Sequence, residues 1–370
     1  MQNKICCIFN VAPHYNEPIY KLIDKHLISD FYIGDKIHLP IHLMDYSSLN
    51  GFKKILKYTP LFYNFYWQTG VMGIRLRNYN HIIITGEPFC LSTWLILIIS
   101  KLFKIKTYLW THGWYGNESF FKKTIKKMFF KLSTKVLLYG DYARDLMIDE
   151  GFKSEKLITI YNSLDYNNQL LVRNSLIENE IYNNYFGNRN PVIVFVGRIQ
   201  KVKKLDMLLA AMLRLNQNKL RCNLIIIGEE VEKTYIKDLI DEYDLNKQVW
   251  LFGPCFDEKV IGELIFNANV CVSPGNVGLT SIHSLMYGTP VITHNNFCKQ
   301  MPEFETITDG YNGSFFDENT IESLADKIKF WIIKTNQNRL DIRNNCYRVI
   351  DEKFNPNVQI NILKNLFNNN

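Results

Sequence analysis

An α/β fold of two doubly wound, Rossmann-like parallel-sheet domains is what this sequence predicts, on three observations. Short apolar, β-branched runs alternate with helix-length segments along the chain, the order a parallel sheet requires. That alternation restarts at Pro191 after a polar, Asn-rich stretch over 166–190. With 370 residues, the chain is long enough for two domains at roughly 100–200 residues each. The expected division is 1–175, 176–350 and a C-terminal helical segment over 351–370.

Ile5–Phe9 reads as a buried first strand. The loop Asn10–Glu17 follows, with Pro18 opening a helix to about Leu27. No G-x-G-x-x-G follows this strand, which speaks against a dinucleotide fold here. His14, Asn16 and Glu17 can face a cleft at the strand's carboxyl end, or form a solvated turn. Phe31–Ile33 and Ile41–Leu43 read as further strands. Residues 52–79 interleave aromatics with lysines and arginines. His81–Thr85 is a strand, followed by Gly86-Glu87-Pro88 and an apolar helix around Leu91–Leu102. Lys106–Trp110 is the next strand and ends at His112-Gly113, where ligands of parallel sheets bind.

Phe120–Lys131 (FFKKTIKKMFFK) has helical periodicity. Phe121, Ile125 and Met128 share one stripe, and Lys122, Lys123, Lys126 and Lys127 occupy another region. Either the stripe packs on the core with the lysines in water, or the helix lies on anionic lipid. The second reading is the one favoured here. Lys135–Tyr139 and Leu157–Tyr161 are strands flanking a helix that Gly151 caps.

In the second half, strands are expected at Val192–Val196, Asn223–Ile227 and Val249–Phe252. Val192–Val196 runs into Gly197-Arg198 and Lys203. The segment Val270–Thr293 (VCVSPGNVGLTSIHSLMYGTPVIT) is strand, loop, helix, strand. Gly278 precedes the helix, Thr280 or Ser281 can cap it, and Gly288 with Pro290 ends it. Amides of Gly278, Leu279 and Thr280 at such a helix start suit a phosphate.

Composition narrows the function. Apolar residues make up 47% and charged residues 21%, with a net charge of +7. This suits an anionic ligand or membrane surface without resembling a nucleic-acid binder. The eight cysteines show no C-x-x-C spacing and read as buried thiols of a reducing, cytosolic protein. Lys4–Phe9 is too short for a signal peptide, and Leu91–Ile99 falls short of the ~20 residues that span a bilayer. A cytoplasmic protein, peripheral on the inner membrane face, is expected. Neither a Walker P-loop nor G-x-S-x-G occurs.

These motifs, in this order, resemble the retaining family-four (group 1) glycosyltransferases of the GT-B architecture. The resemblance covers most of residues 157–335. It rests on Tyr161–Asp165, Gly197-Arg198 with Lys203, Ile225–Gly228, Val249–Gly253 and the Val270–Thr293 segment. It implies two domains facing a cleft, the first binding acceptor and the second a nucleotide-sugar donor, with the C-terminal helix packing back on the first. Arg198 and Lys203 would neutralise the departing diphosphate, and Gly197, Gly253 and Gly278–Thr280 would line the donor site. His112 matches the family's first-domain histidine near the donor sugar and would hydrogen-bond and stabilise charge there. The family's two glutamates eight positions apart fall at Gly275 and His283. His283 can hydrogen-bond a ribose, and Asn276 or Glu303 can supply the sugar contact that Gly275 lacks. No D-x-D occurs, so neither cofactor nor divalent metal is expected. The resulting expectation is a glycosyltransferase (EC 2.4) moving a sugar to a saccharide, plausibly lipid-linked, in surface polysaccharide biosynthesis. Two rivals stay open: a GT-B sugar-nucleotide epimerase, and a non-catalytic nucleotide-sugar-binding partner.

Overall fold

The computed structural model describes residues 4–36 and 42–368. It divides into two compact units. One holds the described residues up to Asp165 and from Asn355 onward; the other is Tyr166–Phe354.

The first unit is built on strands β1 (Ile5–Phe9), β2 (Ser29–Gly34), β3 (Phe52–Pro60), β4 (Tyr66–Thr69), β5 (His81–Thr85), β6 (Lys106–Thr111), β7 (Lys135–Leu138) and β8 (Leu157–Thr159). They form one sheet in the order β4-β3-β2-β1-β5-β6-β7-β8, parallel except for β4 against β3. Side chains alternate between two covered faces, as in any doubly wound sheet. Cys6, Ile8, Ile82, Ile84 and Leu109 pack with Phe129 and Phe130 on one side. Ile5, Cys7, Phe9 and Ile83 pack with Ile19 and Ile23 on the other. The C-terminal helix Pro356–Asn368 joins that second face through Leu363 and Phe367.

The second unit has a six-stranded sheet, β11-β10-β9-β12-β13-β14, with every pair parallel. Its strands are β9 (Val192–Val196), β10 (Asn223–Ile227), β11 (Val249–Gly253), β12 (Val270–Val272), β13 (Val291–His294) and β14 (Gly313–Phe316). Chain order runs outward one way from β9 and the other way from β12. The carboxyl ends of these two strands are therefore a topological switch point, where open α/β sheets bind ligands. In the first unit the corresponding point lies between β1 and β5.

Four elements differ from the sequence expectation. Residues 52–79 hold a strand pair, β3 and β4, because Leu56 and Tyr58 turn inward while Lys53, Lys54 and Lys57 face solvent. The expected strand Ile41–Leu43 is not formed over its described part: Ile41 lies outside the described residues, and Leu43 makes only an isolated bridge to Pro13. The unit boundary falls at Asp165/Tyr166, ten residues before the expected 175/176. There the helix Tyr166–Ser175 is tied into the second unit by Gln169–Glu258 at 3.1 Å and Arg173–Asp351 at 2.9 Å. Finally, one long helix, Ile321–Glu352, replaces two, broken only by non-helical φ/ψ at Asn338.

Candidate active site

The loops after β9 and β12 meet at the switch point of the second unit, and their contact is set by backbone. Gly275 donates its N–H to the Lys203 carbonyl at 3.1 Å. A Cβ on Gly275 would lie 1.9 Å from the Val202 carbonyl oxygen and 2.8 Å from the Lys203 Cα. No side chain fits there without parting the two loops. The same loop is fixed behind by Thr293, whose hydroxyl donates to the Gly275 carbonyl at 3.0 Å, and by Gln300, whose Oε1 accepts from Val277 N–H at 2.9 Å.

Lys203 crosses this contact. Its Nζ donates to Asn276 through both the backbone carbonyl (2.6 Å) and Oδ1 (2.8 Å). Burial, then the neighbouring Arg198 charge, pushes its pKa down to about 8, with Glu303 pulling the other way. Arg198 is exposed at the carboxyl end of β9. The second unit thus brings together Arg198, Lys203, Asn276 and the charge of Glu303. The Glu303 side chain is itself buried, and its backbone carbonyl accepts from the hydroxyls of Ser281 (2.9 Å) and Thr306 (2.8 Å).

Gly197 and Gly228 let β9 and β10 end close together: a Cβ on Gly228 would fall 1.9 Å from the Gly197 carbonyl oxygen. Gly253 closes β11 and accepts the Gly228 N–H at 2.9 Å. Gly278 has φ +53 and leads through Leu279 into the helix Thr280–Met286. The expected cap is absent. Thr280 instead donates its hydroxyl to the Val196 carbonyl at 2.8 Å, pinning the helix start to the end of β9. Ser281 turns its hydroxyl to the carbonyls of Gly278 and Glu303.

His283 is not an open hydrogen-bonding group. Its Nε2 lies 2.8 Å from Glu258 Oε1, and that carboxylate also accepts from Tyr287 (2.6 Å) and Gln169 (3.1 Å). Burial opposes the ionised Glu258, but His283 and these donors outweigh it and hold its pKa near 2. Glu258 was missed in the sequence because its contact with His283 is tertiary, with no spacing that announces it.

In the first unit His112 follows β6, its ring 4.9 Å from that of Tyr139 and 6.4 Å from that of Tyr115. Burial, then the Lys126 charge, lowers its pKa to about 4, so the imidazole is neutral near pH 7. Lys126 is a residue the sequence reading placed wrongly. Its Nζ pairs with Glu118 at 2.7 Å and lies over the rings of Trp114 (5.1 Å) and Tyr115 (5.3 Å). Glu118 in turn accepts the N–H groups of Tyr115 and Gly116, ordering the loop after His112. The spacing that could have revealed this is i, i+3, i+4, since Lys126 shares a face with the buried Phe129 and Phe130.

Glu87, between Gly86 and Pro88 at the end of β5, is a further strand-end group; burial raises its carboxyl pKa. His14, Asn16 and Glu17 form a 3₁₀ turn and the start of the helix Glu17–His26. His14 is exposed, with Nδ1 3.2 Å from the His42 carbonyl, and Glu17 pairs with Lys21 at 2.5 Å.

The basic helix, Phe120–Leu132, sits opposite to expectation. Lys123 (2.6 Å) and Lys127 (2.7 Å) pair with Glu150, and Lys126 is engaged as above, which leaves Lys122 in solvent. The core face is Phe129 and Phe130, while Phe121 and Met128 are 73% and 58% exposed. Among the described residues no helix is long and apolar enough to cross a membrane.

Residues 177–349 match the family described as Glycosyl transferases group 1. An uncharacterised glycosyltransferase of Methanocaldococcus jannaschii is 24% identical over 305 residues, 77% of this chain and 74% of that protein. Among solved structures, Anabaena HepE in complex with UDP superposes with a TM-score of 0.72 at 16% identity, covering 98% of this chain and 99% of its own. The lipopolysaccharide outer core galactosyltransferase WaaB gives 0.70 at 14% identity, over 99% and 100%. With the donor-side family match and a GT-B fold over both units, the chain is a group 1, family-four glycosyltransferase that works with nucleotide sugars.

Proposed function

We propose that the enzyme transfers a sugar with retention from a nucleoside-diphosphate sugar to a saccharide acceptor, plausibly lipid-linked, in the assembly of a surface polysaccharide. The observation that carries the donor half is the Arg198–Lys203 pair at the β9/β12 switch point, with Lys203 a buried cation whose proton is held loosely. A developing diphosphate there gains a planar fork and a point charge, and needs no metal to balance it. Amides at Gly278, Leu279 and Thr280 lie beside them. Asn276 is the nearest side chain to take the sugar contact that Gly275 cannot make. His283 and Glu258 act at the ribose as a unit, with Glu258 the hydroxyl acceptor and His283 its support. His112, neutral, hydrogen-bonds at the sugar. The departing phosphate takes the acceptor proton.

HepE is known in complex with UDP and UDP-glucose, which makes uridine the first base to test. WaaB is a lipopolysaccharide outer core galactosyltransferase, in line with a cell-surface glycan as acceptor; His14, Asn16 and Glu17 are the acceptor-side candidates. Attachment to the inner membrane face is assigned to Phe120, Phe121, Lys122 and Met128 of the Phe120–Leu132 helix. The deciding experiment is a thermal-shift screen of UDP-, GDP-, dTDP- and CMP-sugars, followed by transfer assays with the stabilising donor. Ligand at a hundred times its Kd adds about 2.7 kcal/mol of stability. Absence of any stabilising nucleotide sugar refutes the donor assignment, and an altered free nucleotide sugar without acceptor turns the reading to an epimerase.

A further inference from the structure

The amino-terminal edge of the first unit's sheet, away from the strand ends used above, carries a cationic cavity of about 690 Å³. Arg77, His81, Lys104 and Lys106 line it with Tyr79 and Phe103, and no carboxylate is among the described lining residues. Its floor is rigid: His81 and Lys106 are register neighbours on β5 and β6. Its wall is ordered: the Arg77 guanidinium lies 3.8 Å from the centre of the Phe103 ring. Lys104 holds a left-handed φ of +57 where the chain leaves the Leu91–Leu102 helix, a place that favours glycine. Three permanent or near-permanent cations facing one open space, without a counter-charge in the lining, suit a phosphate. Arginine supplies the bidentate fork and lysine the point charge.

The cavity mouth continues into an apolar surface. Leu91, Leu95, Ile98 and Leu102 recur at i, i+4, i+7 and i+11 on the Leu91–Leu102 helix, while Ile96, Leu97 and Ser100 are buried. Ile98 is 46% and Leu102 73% exposed. Phe103 belongs to both the stripe's end and the cavity wall. A soluble phosphate has no use for that stripe, whereas a lipid presents charge and hydrocarbon side by side.

We propose that this cavity binds the phosphate headgroup of an anionic phospholipid, with the acyl chains against Ile98, Leu102 and Phe103. The site rests on the membrane-face part of the proposed function and is independent of the transfer chemistry. It places a specific lipid contact where a helix lying on bulk charge would give none.

The test uses the full chain and vesicles of phosphatidylcholine with and without phosphatidic acid. Arg77→Gln, Lys104→Gln and Lys106→Gln combined should weaken binding to phosphatidic acid vesicles on the order of a hundredfold, at roughly fivefold per basic side chain near an anionic surface. A matched variant losing three exposed lysines elsewhere (Lys219→Gln, Lys237→Gln, Lys247→Gln) should lose far less. Equal loss in both variants overturns the site in favour of net charge. Should the triple variant melt early, the exposed single changes Lys104→Gln and Leu102→Ser carry the same comparison. Calorimetry with dihexanoyl phosphatidic acid below its micelle concentration should show binding at least tenfold tighter than glycerol 3-phosphate, and equal affinities overturn the lipid assignment. Nucleotide-sugar turnover on a soluble acceptor should be unchanged in the triple variant, so a failed lipid site and a failed transferase reading give different results.

Discussion

Lys203 allows the donor assignment to be tested through pH alone. Burial and the Arg198 charge bring its pKa to about 8, against an ordinary lysine value near 10.4. A diphosphate bound between Arg198 and Lys203 stabilises the ammonium and returns it toward the ordinary range. That return is worth roughly 3 kcal/mol, an upper bound because the side chain is not wholly shut off from water. The sign follows from linkage: the complex binds the proton more tightly than the free enzyme. Affinity is therefore full below the free-enzyme pKa and falls as pH rises through it, by tenfold per unit until the pKa of the complex is reached. With that pKa near 8, the Kd for UDP should rise about tenfold between pH 7 and pH 9. Isothermal titration across this range reads it directly. The Lys203→Ala variant should bind more weakly at pH 7 and lose the slope. An affinity flat from pH 7 to pH 9 in the native enzyme, or the same slope in Lys203→Ala, refutes the reasoning.

Three further outcomes are expected. Arg198→Ala should leave the melting temperature nearly unchanged, because the side chain is exposed, yet lower kcat on the order of a hundredfold, as loss of one transition-state charge contact does; a stable variant with native kcat removes Arg198 from the diphosphate. Gly275→Ala should cost about 1–3 kcal/mol by forcing the loops after β9 and β12 apart, and weaken nucleotide binding with it; a native melting curve would falsify the close approach at 1.9 Å. Lys126→Gln should cost about 2 kcal/mol by leaving Glu118 half-buried without its cation, while vesicle binding stays intact; the paired change Phe120→Ser with Phe121→Ser should do the reverse, and the opposite pattern in co-sedimentation would return the lysines to the membrane.

What the sequence could and could not show divides along range. Strands β1, β5, β6, β9, β10 and β11 were legible because their buried, β-branched runs are local signals bounded by glycine, asparagine or proline. Gly197-Arg198 and Lys203 were legible as a strand end followed by cations. The β3–β4 pair was hidden because lysines alternate with its inward residues and mask the period of two. The Phe120–Leu132 helix was read on the wrong face because Phe121, Ile125 and Met128 form as regular a stripe as Lys126, Phe129 and Phe130. Periodicity finds a stripe; only the position of Glu118 and Glu150 in space decides which stripe is buried. Glu258 was invisible for the same reason, since nothing at position 258 points to His283.

The two central departures at the donor site have one physical cause. At Gly275 the loop after β12 runs so close to the Lys201–Lys203 turn that a Cβ cannot fit. The contact that excludes a side chain also fixes Lys203, whose carbonyl accepts the Gly275 N–H and whose Nζ reaches Asn276. A carboxylate at position 275 would sit beside that ammonium and tie it up as an ion pair; without it Lys203 keeps a low pKa and a charge ready for phosphate. Eight residues on, His283 takes its carboxylate from Glu258 rather than from its own position. On this reading the site does not lack acidic groups. It has moved one of them to the helix Glu258–Asn267 and given up the other to hold Lys203 in place. The donor contacts that follow are an amide at Asn276 and a carboxylate at Glu258, so exchanging His283 for glutamate should repel Glu258 and weaken nucleotide binding.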